Sequence, residues 1–200
     1  MLSVTSLKSV YFLGLLAELL VRLPHERQRR QNRIVVDRVS WLERLLVGLV
    51  AVGLFCIPVL YVFTPWLNWA NYRLSPRASS DAGGIGAALL AGAVWLFWRS
   101  HTDLGREWSP SLQLREGHTL ITSGVYKSVR HPMYASIWLW GIAQALLLQN
   151  WVAGFASLVL FLPMYVLRVP REEQMMLEQF GEAYRAYITR TGRVIPRLGS

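Results

Sequence analysis

The sequence predicts an all-α, multi-pass integral membrane protein with about five transmembrane helices. Hydrophobic residues make up 53% of the 200 residues, and nine of the residues are tryptophan. These residues gather in long runs without a charge, at 45–63, 82–98 and 132–167. Because a bilayer core takes about 20 apolar residues per helix, the first two runs suit one crossing each and the third suits two.

Three helices are predicted in the N-terminal region, 1–98, at about 4–21, 42–64 and 82–98. The first contains Lys8 and Glu18, and it is followed by an arginine-rich flank. It lacks the small-residue cleavage pattern of a signal peptide, so we interpret it as a spanning helix. The second and third follow from their uninterrupted apolar runs.

The remaining region, 99–200, is predicted to contain a cytoplasmic loop, a helical hairpin over 132–167 and a C-terminal helix. Gln149 and Asn150 interrupt the longest apolar run and predict the turn of the hairpin. After 172 the apolar positions Leu177, Phe180 and Tyr184 follow helical spacing. This spacing predicts an amphipathic helix that lies against the membrane or the protein.

The distribution of charge predicts the topology. The net charge is +9, and most of the basic residues fall in the segments 22–38, 99–131 and 168–200. With five spans these three segments share one side, which the positive-inside rule assigns to the cytoplasm, and the N-terminus lies outside. The basic residues are thereby explained by topology, and nucleic acid is not expected as a partner. The single cysteine, Cys56, makes neither an internal disulfide nor a cysteine metal cluster, and no metal site is expected.

Three polar motifs follow one another in the predicted catalytic region: "GHTLITSGVY" at 117–126, "RHPMY" at 130–134 and "RVPREE" at 168–173. The hydrophobic hairpin separates the second motif from the third. Taken together, this order resembles the isoprenylcysteine carboxyl methyltransferase family, especially its compact prokaryotic members. Phospholipid N-methyltransferases share much of the same pattern.

The resemblance implies S-adenosylmethionine as the cofactor and a lipophilic carboxylate, such as a prenylated cysteine, as the methyl acceptor, with membrane lipid around both. It implies that the acceptor is bound by Arg168 and that Arg168 and Glu172 act in catalysis. The implied cofactor-binding residues are Gln113, His118, Thr119, Leu120, Ile121, Gly124, Tyr126, His131, Pro132, Met133, Tyr134, Glu172 and Glu173. Aromatic rings and a carboxylate suit a sulfonium cation. A carboxylate acceptor is already ionised at neutral pH, so it needs a permanent cation such as arginine rather than a base.

Three other functions compete with carboxyl methylation. Phospholipid N-methylation is the nearest, and it would require a glutamate or histidine base because an amine must lose a proton. A reductase of isoprenoid double bonds would need a longer chain. A non-catalytic membrane scaffold would bind no cofactor, and its motifs would only mark the ends of helices.

Overall fold

The computed structural model describes residues 3–29, 34–37, 40–105, 113–115 and 119–197, with the backbone alone at 27–29, 34–37 and 113–115. In chain order the elements are α1 (Val4–Arg29), β1 (Ile34–Asp37), α2 (Trp41–Ala51), a π-helical turn (Val52–Cys56), α3 (Ile57–Phe63), a 3-10 turn (Asn68–Ala70), α4 (Pro76–Leu104), β2 (Gln113–Arg115), a second 3-10 turn (Gly124–Lys127), α5 (Pro132–Leu148) and α6 (Trp151–Arg190). The all-α fold class is confirmed. The small antiparallel pair of β1 and β2 is an addition that hydrophobic periodicity did not predict.

In the described part of the chain, four helical segments are long and apolar enough to cross a membrane. They are Val4–Glu26, Trp41–Phe63, Pro76–Leu104 and Trp151–Arg190. The shorter apolar helix α5 has 17 residues, about 26 Å at 1.5 Å per residue. It packs against both α4 and α6. Four to five apolar helices therefore agree with the predicted multi-pass membrane protein.

The turn between α5 and α6 lies at the predicted pair of residues. Gln149 adopts a left-handed conformation with φ of 49°, which ends α5. Asn150 then caps α6, because its Oδ1 accepts hydrogen bonds from the N–H groups of Val152 (3.0 Å) and Ala153 (2.8 Å). Asparagine suits this position because its side chain replaces the missing intrahelical acceptor. The two helices consequently run side by side in opposite directions.

The C-terminal helix differs from the prediction, because α6 does not stop at the end of the hairpin. It runs on from Trp151 to Arg190, through Pro163 and Pro170, and leaves helical geometry only at Gly181. A proline removes one helical hydrogen bond. The burial of Val169, next to Pro170, holds this part of α6 against the core. The third motif is therefore carried directly on the extension of a spanning helix.

A buried polar network joins the helices at a distance from the predicted site. Gln144 of α5 donates hydrogen bonds to the carbonyls of Gly53 (3.0 Å) and Ala153 (2.6 Å). Its Oε1 lies 2.9 Å from the hydroxyl of Tyr11, which also contacts the carbonyl of Leu54. Gly53 and Leu54 belong to the π-helical turn. A side chain at position 53 would meet the backbone of α6, so glycine allows this close approach.

Candidate active site

One cavity of about 750 Å³ brings the three motifs together. Its polar wall comes from residues 119–134 and from the middle of α6. The facing wall, from α1, α2 and the π-helical turn, is mostly apolar but includes Glu18 and Arg22. Leu16, Leu19, Val47 and Phe55 line the cavity and are also 40–55% exposed at the surface of the helices. The cavity therefore extends from a polar centre to the apolar outer surface between α1 and α2.

The 3-10 turn at 124–127 is fixed by contacts with α4 and α6. Gly124 has a φ of +59°, and the N–H of Val125 donates to Oδ2 of Asp103 at 2.9 Å. Tyr126 is buried, and its carbonyl accepts a hydrogen bond of 2.6 Å from the hydroxyl of Tyr187. Burial raises the pKa of Tyr126, so its ring faces the cavity as a neutral phenol.

The residues after α6 hold the second motif in place. The N–H groups of Arg130 and His131 donate to the carbonyls of Gly192 and Arg193, both at 2.8 Å. The guanidinium of Arg130 donates to Oε1 of Glu173 (3.1 Å) and to the carbonyls of Ile188 and Thr191. A buried arginine is costly unless it is paired, and Arg130 is fully engaged within the protein. It orders the site rather than marking the end of a helix.

His131 lies between two adjacent glutamates. Its Nε2 is 3.3 Å from Oε1 of Glu173, and its Nδ1 is 3.5 Å from Oε2 of Glu172. Burial lowers the pKa of His131, but the hydrogen bonds and negative charges of the two glutamates outweigh it. The net pKa is raised above 6.5. The two carboxylates therefore favour the cationic form of the imidazole.

Arg168 and Glu172 form the ionic centre of the cavity. Nε of Arg168 donates to Oε1 of Glu172 at 2.8 Å, and the same oxygen accepts from the hydroxyl of Tyr134 at 2.8 Å. The pair is four residues apart on α6, so Pro170 leaves the i,i+4 spacing intact. On its other side, Nη1 of Arg168 lies 3.3 Å from Oε2 of Glu43. Arg168 is 5% exposed, yet it lines the cavity.

Most of the residues singled out in the sequence line this one cavity. They are Thr119, Leu120, Ile121, Tyr126, His131, Pro132, Met133, Tyr134, Arg168 and Glu172. Gly124 shapes the adjoining turn, and Glu173 lies behind His131. The backbone of Gln113 is in β2, but its side chain and all of His118 lie outside the described residues. The cofactor-binding role of each of these residues stays a prediction.

The sequence did not single out several residues that belong to the site. His101 of α4 lines the cavity, and the thioethers of Met164, Met175 and Met176 lie along its α6 side. Glu43 is buried beside Arg168. Glu43 is an acidic residue at the start of an apolar run, and this position could have pointed to the site. However, "SWLE" at 40–43 also matches a helix-capping pattern.

The donor set suits S-adenosylmethionine. Its sulfonium and amino groups are cationic, and the cavity offers the carboxylate of Glu172 with the rings of Tyr126 and Tyr134 nearby. The flat adenine suits an apolar wall such as Leu120, Ile121 and the α6 methionines. The residues present therefore fit this cofactor.

Comparison with known proteins points the same way. Residues 85–178 match the isoprenylcysteine carboxyl methyltransferase (ICMT) family. Protein-S-isoprenylcysteine O-methyltransferase B of Arabidopsis thaliana is 31% identical over 94 residues, which is 46% of this chain and 48% of the relative. Isoform A is 29% identical over 112 residues, 56% of this chain and 54% of the relative. The human protein-S-isoprenylcysteine O-methyltransferase is 34% identical over 79 residues, 40% of this chain and 28% of the relative.

The fold and the site define a multi-pass membrane protein with a cavity that joins an ionic centre to a lipid-facing surface. The segment 85–178, which carries all three motifs up to Glu173, is similar to the isoprenylcysteine carboxyl methyltransferase family. The chain spans about half the length of the Arabidopsis relatives that it matches. The apolar wall from α1 and α2 lies outside the matched segment.

Proposed function

We propose that the chain is a membrane methyltransferase that uses S-adenosylmethionine to methylate the carboxylate of a lipophilic acceptor such as a prenylated cysteine. The observation that carries this proposal is the position of Arg168 and Glu172 in a cavity whose opposite wall reaches the lipid-facing surface. A soluble cofactor and a lipid-bearing acceptor can meet only where a polar site adjoins a lipid-facing surface. The proposed orientation places this centre on the cytoplasmic side, where the cofactor is made.

Arg168 supplies the recognition of the acceptor. A guanidinium is always charged and matches a carboxylate in bidentate geometry, so it can fix the nucleophilic oxygens without being consumed. When bound, the cofactor supplies an electrophilic methyl group on its sulfonium sulfur. Glu172 and the rings of Tyr126 and Tyr134 would hold that cation beside the acceptor. The acceptor tail would enter from the bilayer past Leu16 and Phe55, which are 52% and 55% exposed.

The rest of the catalytic gain comes from alignment and from exclusion of water. His131 and Tyr134 keep Glu172 in one orientation through contacts of 3.5 Å and 2.8 Å. Apolar side chains make up most of the remaining wall, and they strengthen electrostatic contacts inside the cavity.

The geometry favours carboxyl methylation over methylation of an amine. An amine acceptor requires a base in its neutral or anionic, proton-accepting form. His131 already contacts Glu172 and Glu173, and Glu172 already accepts hydrogen bonds from Arg168 and Tyr134. Both candidate bases are therefore engaged within the protein. Phospholipid N-methylation is therefore the less favoured reaction.

The test compares Arg168→Ala and Arg168→Lys with wild type, using a prenylated cysteine derivative in detergent. Loss of one charge-assisted contact is worth about 1.5–3 kcal/mol, so Arg168→Ala should slow transfer roughly 10-fold to 150-fold. Lysine should rescue only partly, because it lacks the bidentate fork. Affinity for S-adenosylhomocysteine, measured by calorimetry, should change little.

Arg171→Ala is the matched control, since Arg171 is an exposed arginine on the same helix. It should retain wild-type rate. If Arg168→Ala transfers methyl groups as fast as wild type, Arg168 does not bind the acceptor. If wild type binds no S-adenosylhomocysteine, a non-catalytic scaffold is the better interpretation. A rate that rises with pH through the pKa of an amine acceptor would favour N-methylation.

A further inference from the structure

A buried glutamate from α2 contacts the ionic centre from behind. Glu43 is 2% exposed, and its Oε2 lies 3.3 Å from Nη1 of Arg168. Within the described part of the chain, neither of its carboxylate oxygens accepts a hydrogen bond. Burying a carboxylate is costly and requires compensation by a partner. Arg168 is the partner that the described contacts provide.

The local sequence would allow Glu43 a different role. Ser40 is the N-cap of α2, and its Oγ accepts a hydrogen bond of 3.3 Å from the N–H of Glu43. In a capping box the glutamate at this position folds back onto the N–H of the cap residue. The Glu43 carboxylate makes no such bond and points into the protein. Its side chain therefore forgoes stabilisation of its own helix and pairs with Arg168.

The two glutamates hold different atoms of the same guanidinium. Glu172 accepts from Nε at 2.8 Å, and Glu43 faces Nη1 at 3.3 Å. Arginine and a carboxylate four residues apart on a helix can close into a bidentate pair. Such a pair uses Nε and Nη2, and Nη1 lies on the other edge of the guanidinium, so Glu43 does not compete with Glu172 for it. The contact with Glu43 instead fixes a second nitrogen, and two carboxylates from different helices thereby set the orientation of the guanidinium plane.

We propose that Glu43 is a positioning residue that keeps the guanidinium of Arg168 turned toward the acceptor. This inference rests on the proposed function of Arg168. Arg168 and Glu172 line the cavity and Glu43 does not, so Glu43 acts through Arg168 without touching the acceptor. Glu43 also lies outside residues 85–178, so the helix that it belongs to adds to a site carried by the matched segment.

The experiment uses the full chain in detergent with Glu43→Ala, Glu43→Gln and Ser40→Ala. Acceptor KM, kcat, affinity for S-adenosylhomocysteine and the thermal midpoint are measured for each. Misplacing a binding group by about 1 Å can cost up to about 100-fold. Glu43→Ala should therefore raise acceptor KM roughly tenfold or more, with cofactor affinity unchanged. Glu43→Gln should rescue partly, because its amide oxygen keeps a partial negative charge and acceptor capacity near Nη1.

Ser40→Ala is the matched control for the stability of α2. It removes the cap, so it should lower the thermal midpoint without raising acceptor KM. In an Arg168→Lys background, Glu43→Ala should raise acceptor KM by a smaller factor than it does in wild type, because both changes disrupt the same pair of side chains. The proposal is overturned if Glu43→Ala leaves acceptor KM unchanged. It is also overturned if Ser40→Ala raises KM as much, or if the effects at 43 and 168 are additive.

A double-mutant cycle in thermal stability separates failure of this inference from failure of the proposed function. The thermal midpoints of Glu43→Ala, Arg168→Met and the double variant do not depend on any reaction. The double variant should be less destabilised than the sum of the single variants, because each single change leaves a buried charge unpaired. Coupling in stability without methyl transfer by wild type would refute the proposed function alone. Additive midpoints would refute the pair itself.

Discussion

Two adjacent glutamates on α6 are expected to respond differently to the same substitution. Glu172 faces the cavity, where it contacts Arg168 and Tyr134. Glu173 does not line the cavity and lies within hydrogen-bonding or ion-pairing distance of Arg130, His131 and Arg193. Glu172→Gln should therefore weaken cofactor binding, whereas Glu173→Gln should mainly destabilise the fold.

The size of the destabilisation expected for Glu173→Gln follows from the burial of the partners of Glu173. Arg130 lies 3.1 Å from Oε1 and its side chain is 8% exposed, so it would be left as a buried charge without its carboxylate. Arg193 lies closer, at 2.6 Å, but its side chain is 50% exposed and water can replace the contact. Breaking one buried pair costs about 3–5 kcal/mol. Glutamine retains an acceptor, so the lower end of this range is expected, which for this chain length lowers the thermal midpoint by roughly 6–12 °C.

The assay combines thermal unfolding in detergent with calorimetric titration of S-adenosylhomocysteine. Glu172→Gln should lose cofactor affinity about tenfold or more and keep a thermal midpoint closer to that of wild type. The surface variant Glu182→Gln, whose parent side chain is 89% exposed, should change neither quantity. The reasoning is refuted if Glu173→Gln keeps its thermal midpoint and loses cofactor affinity as strongly as Glu172→Gln.

Three further outcomes can be checked independently. The pKa of His131 is raised in the folded protein, so its stabilisation is present below about pH 6.5 and is lost as pH rises through the folded pKa. Thermal midpoints between about pH 6 and pH 9 should therefore fall more in wild type than in His131→Gln, and parallel curves would contradict this. Gln144→Leu removes three hydrogen-bonding contacts of the buried network, each worth about 0.6 kcal/mol in a membrane protein. Reversible unfolding in mixed micelles should show a loss of about 2 kcal/mol, and unchanged stability would rule out a stabilising network. In a Cys56→Ala background, cysteines at the exposed positions Arg77 and Arg190 should label from the outside and from the cytoplasm respectively, and labelling from one side would disprove the predicted orientation.

Hydrophobic patterning determined the helices because backbone hydrogen bonding in lipid is a local requirement. A run such as 82–98 must satisfy the hydrogen bonds of all its backbone polar groups within the segment, and an α-helix does so without partners. The turn at Gln149 and Asn150 is local for the same reason, since a left-handed residue and an N-cap act over three or four positions. The joint order of the three motifs also pointed to the family that residues 85–178 match, and most of the residues that this resemblance singled out line one cavity.

Only the tertiary structure decided the roles of the glutamates. Consecutive helical residues point about 100° apart, so "EE" at 172–173 does not tell which carboxylate enters the cavity. Glu43 matched a capping pattern in the sequence, yet its charge is compensated by Arg168, far along the chain. Likewise, Pro170 removes a helical hydrogen bond, but the burial of Val169 and Met175 keeps α6 continuous there. In each case the outcome depends on contacts between distant segments, and the free energy of these contacts exceeds the local preference that the sequence displays.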